Sequence, residues 1–152
     1  MADGKKIILK NKKARHDYEI IEEFEAGMML KGTEVKSLRD GRGSLVGAFC
    51  RISHGELYVY GMNINEYTQG NIHNHDPLRT RKLLMHKKEI KRFIGSMERK
   101  GYSLVPLSLY FRRGYVKLKI ALAKGKKLYD KRDDIKKKSI DREINRAMKQ
   151  KG

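Results

Sequence analysis

From Tyr18 the chain alternates. Tyr18, Ile20, Phe24, Ala26 and Met28 share one parity and Glu19, Glu23 and Glu25 the other, the period-two pattern of a strand with one buried face. Residues 33–39 then set Val35 and Leu38 three apart, with Asp40-Gly41 to stop the run. A short helix is predicted there, capped by Thr33, with Glu34 placed against the positive end of its dipole. Two β-rich runs, 48–53 and 56–62, flank His54-Gly55 and signal a hairpin, with Leu57 and Val59 on one face and Tyr58 and Tyr60 on the other. Residues 66–81 carry Gly70, Asn71, Asn74, Asp76 and Pro77 and read as a long loop, of a length that is often functional in a compact domain. A helix is predicted over residues 80–100. Leu83, Ile90, Ile94 and Met97 recur at helical spacing, Leu84 and Phe93 flank that stripe, and Gly101 ends it. Its outer face would carry Arg81, Lys82, Lys87, Lys88, Lys91 and Arg92. Strands over 104–111 and 115–122 follow, with Arg112-Arg113-Gly114 turning between them. The second sets Val116, Leu118, Ile120 and Leu122 against Lys117, Lys119 and Ala121.

The two ends differ from this middle. Residues 1–17 hold Lys5, Lys6, Lys10, Lys12, Lys13 and Arg15 and little to bury, and read as a basic, mobile N-terminal arm. Residues 125–152 hold 11 basic and 5 acidic side chains and too few large apolar ones to offset the entropy of ordering. They read as a tail, disordered when free, that becomes helical on a partner, since Ile140, Ile144 and Met148 recur every four residues. The body between, 18–124, offers five or six short antiparallel strands, one long helix and one short. That count fits a mainly β fold with flanking helices, a small antiparallel barrel of the oligonucleotide-binding (OB) type, with an α+β sandwich as the competing architecture.

Charge narrows the function. The chain has 152 residues, about one domain's worth, and 36% of them are charged against a usual ~25%. With 36 basic and 18 acidic residues the formal net charge is +18, which repels further copies, favouring a monomer, and attracts a polyanion. A membrane surface would call for a basic helix with a continuous apolar face, and this chain has no Trp and only a thin apolar stripe in its most basic segment. No run approaches the ~18 apolar residues of a membrane span, and the first ten residues show no secretory signal. Nucleic acid is the expected partner and the cytoplasm the expected compartment. The single cysteine, Cys50, excludes an internal disulfide and a CxxC metal site; inside a strand it reads as core.

Enzymatic chemistry finds little support. His73-x-His75 with Asp76 lacks a Cys or Glu at ligand spacing, so no metal is expected. Nothing in the sequence pairs His16, His75 or His86 with a second catalytic group. The glycines match neither GxxxxGK[ST] nor GxGxxG, and no cofactor is expected. Two clusters instead mix cations with hydrogen-bonding and stacking side chains. One is Lys12, Lys13, Arg15, His16 and Tyr18; the other is Asn74, His75, Asp76, Arg79, Arg81 and Lys82. Arg and Lys would position phosphates, while Asn, His and Tyr contact 2′-hydroxyls or stack on splayed bases. RNA binding without catalysis is the expected function; a basic ribosomal or ribosome-assembly protein is the alternative.

Four strings, Asn11-Lys12-Lys13-Ala14-Arg15-His16-Asp17-Tyr18, Gly32-Thr33-Glu34-Val35-Lys36-Ser37-Leu38-Arg39, Asn74-His75-Asp76-Pro77-Leu78-Arg79-Thr80-Arg81-Lys82-Leu83-Leu84 and Gly125-Lys126-Lys127-Leu128-Tyr129-Asp130-Lys131-Arg132, carry a resemblance. In this order and spacing the chain closely resembles the small protein B (SsrA-binding protein) family of bacteria, nearly end to end. The resemblance implies an OB-type barrel and a non-enzymatic role in trans-translation. The body would hold the tRNA-like part of transfer-messenger RNA and enter a stalled ribosome with it, standing in for an anticodon arm. The tail would probe the empty messenger channel, and elongation factor Tu would accompany the aminoacylated RNA. It also implies RNA contacts for Glu34, Leu84 and His86, with Lys36 and Arg39 in the same string as Glu34. His86 stands where Asn is usual. Gly125, Lys126 and Lys127 match the segment engaging the decoding centre and ribosomal RNA. Tyr129, where some relatives carry His, and Asp130, Lys131 and Arg132 match the start of the tail, with Ile140 and Met148 further along it.

Overall fold

β2 (Tyr18–Met28) is the spine of the molecule, paired antiparallel along its length with β9 (Tyr115–Gly125) and, at its far end, with β7 (Arg81–Leu84). The computed structural model describes residues 5–69 and 74–126. Within them β1 (Lys6–Lys10), β8 (Ser103–Arg112), β5 (Glu56–Tyr60) and β4 (Phe49–Ser53) complete a seven-stranded antiparallel sheet in the order β1-β8-β9-β2-β7-β5-β4. β3 (Gly43–Ser44) and β6 (Asn63–Ile64) pair as a short separate ribbon. Among the described residues three helices, α1 (Lys12–Asp17), α2 (Gly32–Arg39) and α3 (Lys87–Lys100), complete a mainly β fold. The sheet curls until β4 lies against β8, but no ladder joins its edges β1 and β4 among the described residues. The strands number nine there, more than the five or six expected, and β8 and β9 run longer than the predicted 104–111 and 115–122.

The basic arm expected over residues 1–17 is not an arm from Lys6 onward. β1 pairs with β8, and Ile8 and Leu9 pack on the core. Asn11 caps α1: its side chain accepts the Ala14 N–H at 3.2 Å and donates to the Pro106 carbonyl at 2.9 Å. Ala14 is buried against Val105, Leu107, Ala121 and Ala123, where small side chains let the helix sit close to the sheet. At the other end β9 continues to Gly125, opposite Tyr18, and the Lys126 N–H donates to the Asp17 carbonyl at 2.9 Å. The folded unit therefore runs past the expected boundary at 124. The tail from Lys127 lies outside the described residues.

One parity pattern needs correction. A register shift between Ile20 and Glu22 inserts Ile21 as a bulge, and a one-residue insertion moves the side chains beyond it to the opposite face. Tyr18 and Ile20 thus pack beneath α1, while Phe24, Ala26 and Met28 join the main core on the other face. There Phe93 of α3 is wholly buried, edge-on to Phe24 at 4.6 Å; burying such a ring contributes roughly 2–3 kcal/mol.

The helix expected from Thr80 begins only at Lys87, with His86 at its N-cap position. Residues 81–84 are a strand because Arg81 and Leu83 both point inward and Lys82 and Leu84 outward, a period of two that an inward arginine hides. In α2 the N-cap position belongs to Lys31, whose N–H is accepted by Glu34 at 2.7 Å; Thr33 is a helix residue and does not cap it. The two tight hairpins form as expected, with His54-Gly55 and Arg113-Gly114 all at positive φ, as two-residue hairpin turns require.

Candidate nucleic-acid interface

Several side chains assigned to RNA lie inside the protein. Glu34 is wholly buried at the start of α2, where it accepts from Arg79 at 2.6 Å, from Arg81 Nε at 2.5 Å and from the Lys31 N–H. Arg81, equally buried, gives its other donors to the Met62 carbonyl at 2.6 Å and the Pro77 carbonyl at 3.1 Å. His75 is closed in by the Thr33 hydroxyl at 2.9 Å and the Ile64 carbonyl at 2.8 Å. Burial alone would raise the Glu34 carboxyl, but the bonds from Arg79, the Lys31 N–H and Arg81 outweigh it and hold the pKa below the usual carboxylate range. Ionised groups enter an interior only in such pairs. Glu34, His75 and Arg81 therefore cannot meet a ligand at the surface of this fold; they clamp the 74–81 segment onto α2. Asn74 acts similarly, donating to the Tyr67 carbonyl at 2.6 Å and accepting the Tyr67 N–H at 2.9 Å. The Asp76 carboxylate accepts the Leu78 N–H at 3.0 Å in a turn, and Arg79, partly exposed, leans on Glu34.

What remains outside forms two surfaces. On α1, Lys12 and Lys13 are exposed, Arg15 is paired with Glu23 at 2.9 Å, and His16 and Tyr18 are half-buried. A groove beside them, lined by Asn11, Lys13, Tyr18, Ala48, Phe49 and Val105, separates α1 from β4. Elsewhere Leu84, 49% exposed, and His86 line a second groove with Glu25, Gly27, Glu89 and Lys117. The sequence reading had Leu84 and His86 but missed Gly27 and Lys117, which sit opposite each other on β2 and β9. A Cβ at Gly27 would touch Leu84 at 3.4 Å, so glycine keeps that wall low. Lys36 and Arg39 are exposed on α2, with the Lys36 ammonium 5.6 Å from the Tyr67 ring. Lys82 is half-exposed and 3.4 Å from Glu56. Gly125 is exposed at the end of β9, whereas Lys127, Tyr129, Asp130, Lys131, Arg132, Ile140 and Met148 lie outside the described residues.

Glu22, Glu23 and Glu25 of β2 each offset cations beside them, Arg15 among these, whereas the exposed lysines of α1 and α2 lie outside those pairs. Glu22 pairs with Arg92, Glu23 with Arg15 and Lys119, and Glu25 with Arg112 at 2.6 Å. Burial would raise Glu25, yet bonds from Tyr110 and Arg112 hold it low, while burial and that carboxylate push the Tyr110 phenol up. The surviving excess of exposed lysine and arginine is suited to phosphate, and the grooves' Tyr18, Phe49, Leu84 and His86 to base or sugar.

Tyr58 and Tyr60 share a face, as expected, but the outward row they form with Phe49 and Arg51 was not among the expected site residues. Phe49 and Tyr60 stack across β4 and β5 at 5.4 Å and 11°, Tyr58 lies 6.5 Å from Tyr60, and the Arg51 guanidinium sits 5.0 Å over Phe49. The signal was present as Phe49-x-Arg51 and Tyr58-x-Tyr60, aromatic and basic residues alternating outward on a hairpin.

Among the described residues no helix is long and apolar enough to cross a membrane, and no three His, Cys, Asp or Glu side chains gather as a metal site. Residues 8–150 match the family model described as SmpB protein. The SsrA-binding protein of Enterococcus faecalis is 56% identical over 144 residues, covering 95% of this chain and 94% of that one. That of Geobacter sulfurreducens is 57% identical over 148 residues, covering 97% of each. A solved chain described as "tmRNA-SmpB: a journey to the center of the bacterial ribosome" superposes with a TM-score of 0.65 at 53% identity, covering 78% of this chain and 84% of that one. With a family match across nearly its whole length, relatives sharing more than half their residues and a common sheet, the chain belongs to the SmpB protein family.

Proposed function

We propose that this chain is an RNA-binding factor of trans-translation, which holds the tRNA-like part of transfer-messenger RNA (SsrA) and carries it to stalled ribosomes. The observation that carries the reading is 56% identity, over 95% of the chain, to a protein named for binding SsrA. The net charge of +18 and the exposed cations of α1 and α2 agree with it. The role needs no catalysis and no cofactor. The curled sheet acts as an OB-type barrel, with Leu84, His86, Gly27 and Lys117 on one RNA-facing groove and Lys12, Lys13, Arg15, His16 and Tyr18 on another. Lys36, Arg39 and Lys82 add phosphate contacts. Glu34, His75 and Arg81 serve binding indirectly, by holding the 74–81 segment in place. The protein acts as a monomer in the cytoplasm, with elongation factor Tu joining through the aminoacylated RNA.

Gly125, Lys126 and Lys127 link this body to a tail that reads the decoding centre and the vacant messenger channel. Tyr129 to Gly152 as one helix would span roughly 36 Å. Messenger and tail exclude each other from the same volume, so occupancy reports that messenger is absent.

The test separates the two parts. RNA recovered with tagged protein from a bacterial lysate should be dominated by one structured transcript, and binding to it should weaken steeply with salt. Cutting the chain after Lys126 keeps β9 and its bond to Asp17 intact. It should leave RNA affinity nearly unchanged and abolish peptide tagging on stalled ribosomes. Equal loss of both would overturn the division between body and tail; recovery of no dedicated transcript would overturn the function.

A further inference from the structure

We propose that the outward face of the β4–β5 hairpin is a stacking platform for an unpaired stretch of the bound RNA. The inference rests on the RNA-binding reading above and adds the site and the nucleotide class. Register places the residues. Phe49 pairs with Tyr60, Arg51 with Tyr58, and Tyr58 in turn with Lys82 of β7. The alternate residues, Cys50, Leu57 and Val59, are buried in the core, so these five side chains form one outward row.

Cross-strand aromatic pairs stabilise a hairpin by themselves, by about 0.2–1 kcal/mol each. That accounts for Phe49 against Tyr60 but not for where the row stands. β4 is an edge strand, and edges are ordinarily kept polar on the solvent side because apolar ones invite association. Here Phe49 is 39% exposed, with a guanidinium laid over its ring and a lysine at the other end of the row. Parallel rings with adjacent cations suit a nucleobase and its phosphate, since every base has a π-face and every linkage a charge. A paired helix has its base faces already stacked, so the occupant is an unpaired stretch.

Continuity supports the same occupant. At one end Phe49 lines the groove that also holds Lys13 and Tyr18 of the α1 surface. At the other, Lys82 and Leu84 point outward from the same strand, and Leu84 opens the groove with His86 and Lys117. The row thus bridges the two surfaces, and one RNA can run across all three.

The test uses the full-length protein, transfer-messenger RNA and a short labelled oligouridylate, followed by anisotropy. Wild type should bind both. Phe49→Leu and Tyr60→Leu should weaken oligouridylate binding about tenfold while leaving its salt slope unchanged, because a ring neutralises no phosphate. Arg51→Gln keeps the aromatic pair; it should weaken binding and also lower the slope. If the leucine variants melt early, cross-linking of 4-thiouridine oligomer to wild type decides, the expected adducts being Phe49, Tyr58 or Tyr60. Wild type that binds transfer-messenger RNA but not the oligomer, well-folded variants with unchanged affinity, or adducts confined to other segments would each overturn the platform and leave the RNA function standing. Wild type that binds neither RNA would overturn both.

Discussion

Replacing Glu34 with Gln removes one charge from the most enclosed polar site in the described fold. In the wild type, one carboxylate faces two guanidiniums and a backbone N–H, and neither Glu34 nor Arg81 has exposed side-chain surface. The amide keeps the shape but leaves Arg81 buried without a counter-charge, and breaking such a pair costs about 3–5 kcal/mol. For a folded body between the small and medium size classes, each kcal/mol lowers Tm by about 3–5 °C, so the loss should be roughly 9–25 °C. Calorimetry or circular dichroism at neutral pH reads it directly. The sign with pH follows from the depressed folded pKa of Glu34. Such a carboxyl stabilises the fold above its unfolded value of about 4.3 and stops doing so as pH falls through the lower folded value. The difference in Tm between wild type and Glu34→Gln should therefore be full at neutral pH and shrink in acid. A variant melting within about 2 °C of wild type at neutral pH, or a gap constant down to acid, would refute the clamp.

Two further outcomes concern the exposed lysines of α1 and the buried thiol of β4. Lys12→Ala and Lys13→Ala, both exposed on α1, should leave Tm almost unchanged; each should lower the salt slope of RNA binding by about 0.7–0.9, read by anisotropy across a salt series. Burial pushes the Cys50 thiol up to about 12, so at about pH 8 iodoacetamide should label urea-unfolded protein far faster than folded protein; equal rates would mean that β4 opens readily.

Elements whose two faces differ strongly in polarity were legible in the sequence. β9 alternates branched apolar residues with lysines, and each hairpin turn announces itself by a glycine at its second position. β1 and α1 were hidden because their apolar content is small: Ile8 and Leu9 suffice because the main core completes their burial, and Ala14 because Ala121 and Ala123 of β9 let α1 sit close. The bulge at Ile21 leaves no trace in composition, yet it turns Tyr18 and Ile20 to the other face. In the candidate site, the clamp was misread as surface for a specific reason. An arginine reads as exposed until its counter-charge is known, and Glu34 lies 47 positions away from Arg81. The outward aromatics were visible as letters, but their role depends on which strand forms the edge, and only the topology gives that.

The way β9 ends has a mechanical consequence. Nine paired positions tie it to β2, from Tyr18 opposite Gly125 to Gly27 opposite Lys117. Since those hydrogen bonds run across the strands, a tug applied to Lys126 along β9 loads many of them in shear together. Traction at that corner would therefore pass into the spine of the sheet through β2 and into α1 through the Lys126 N–H bond to Asp17.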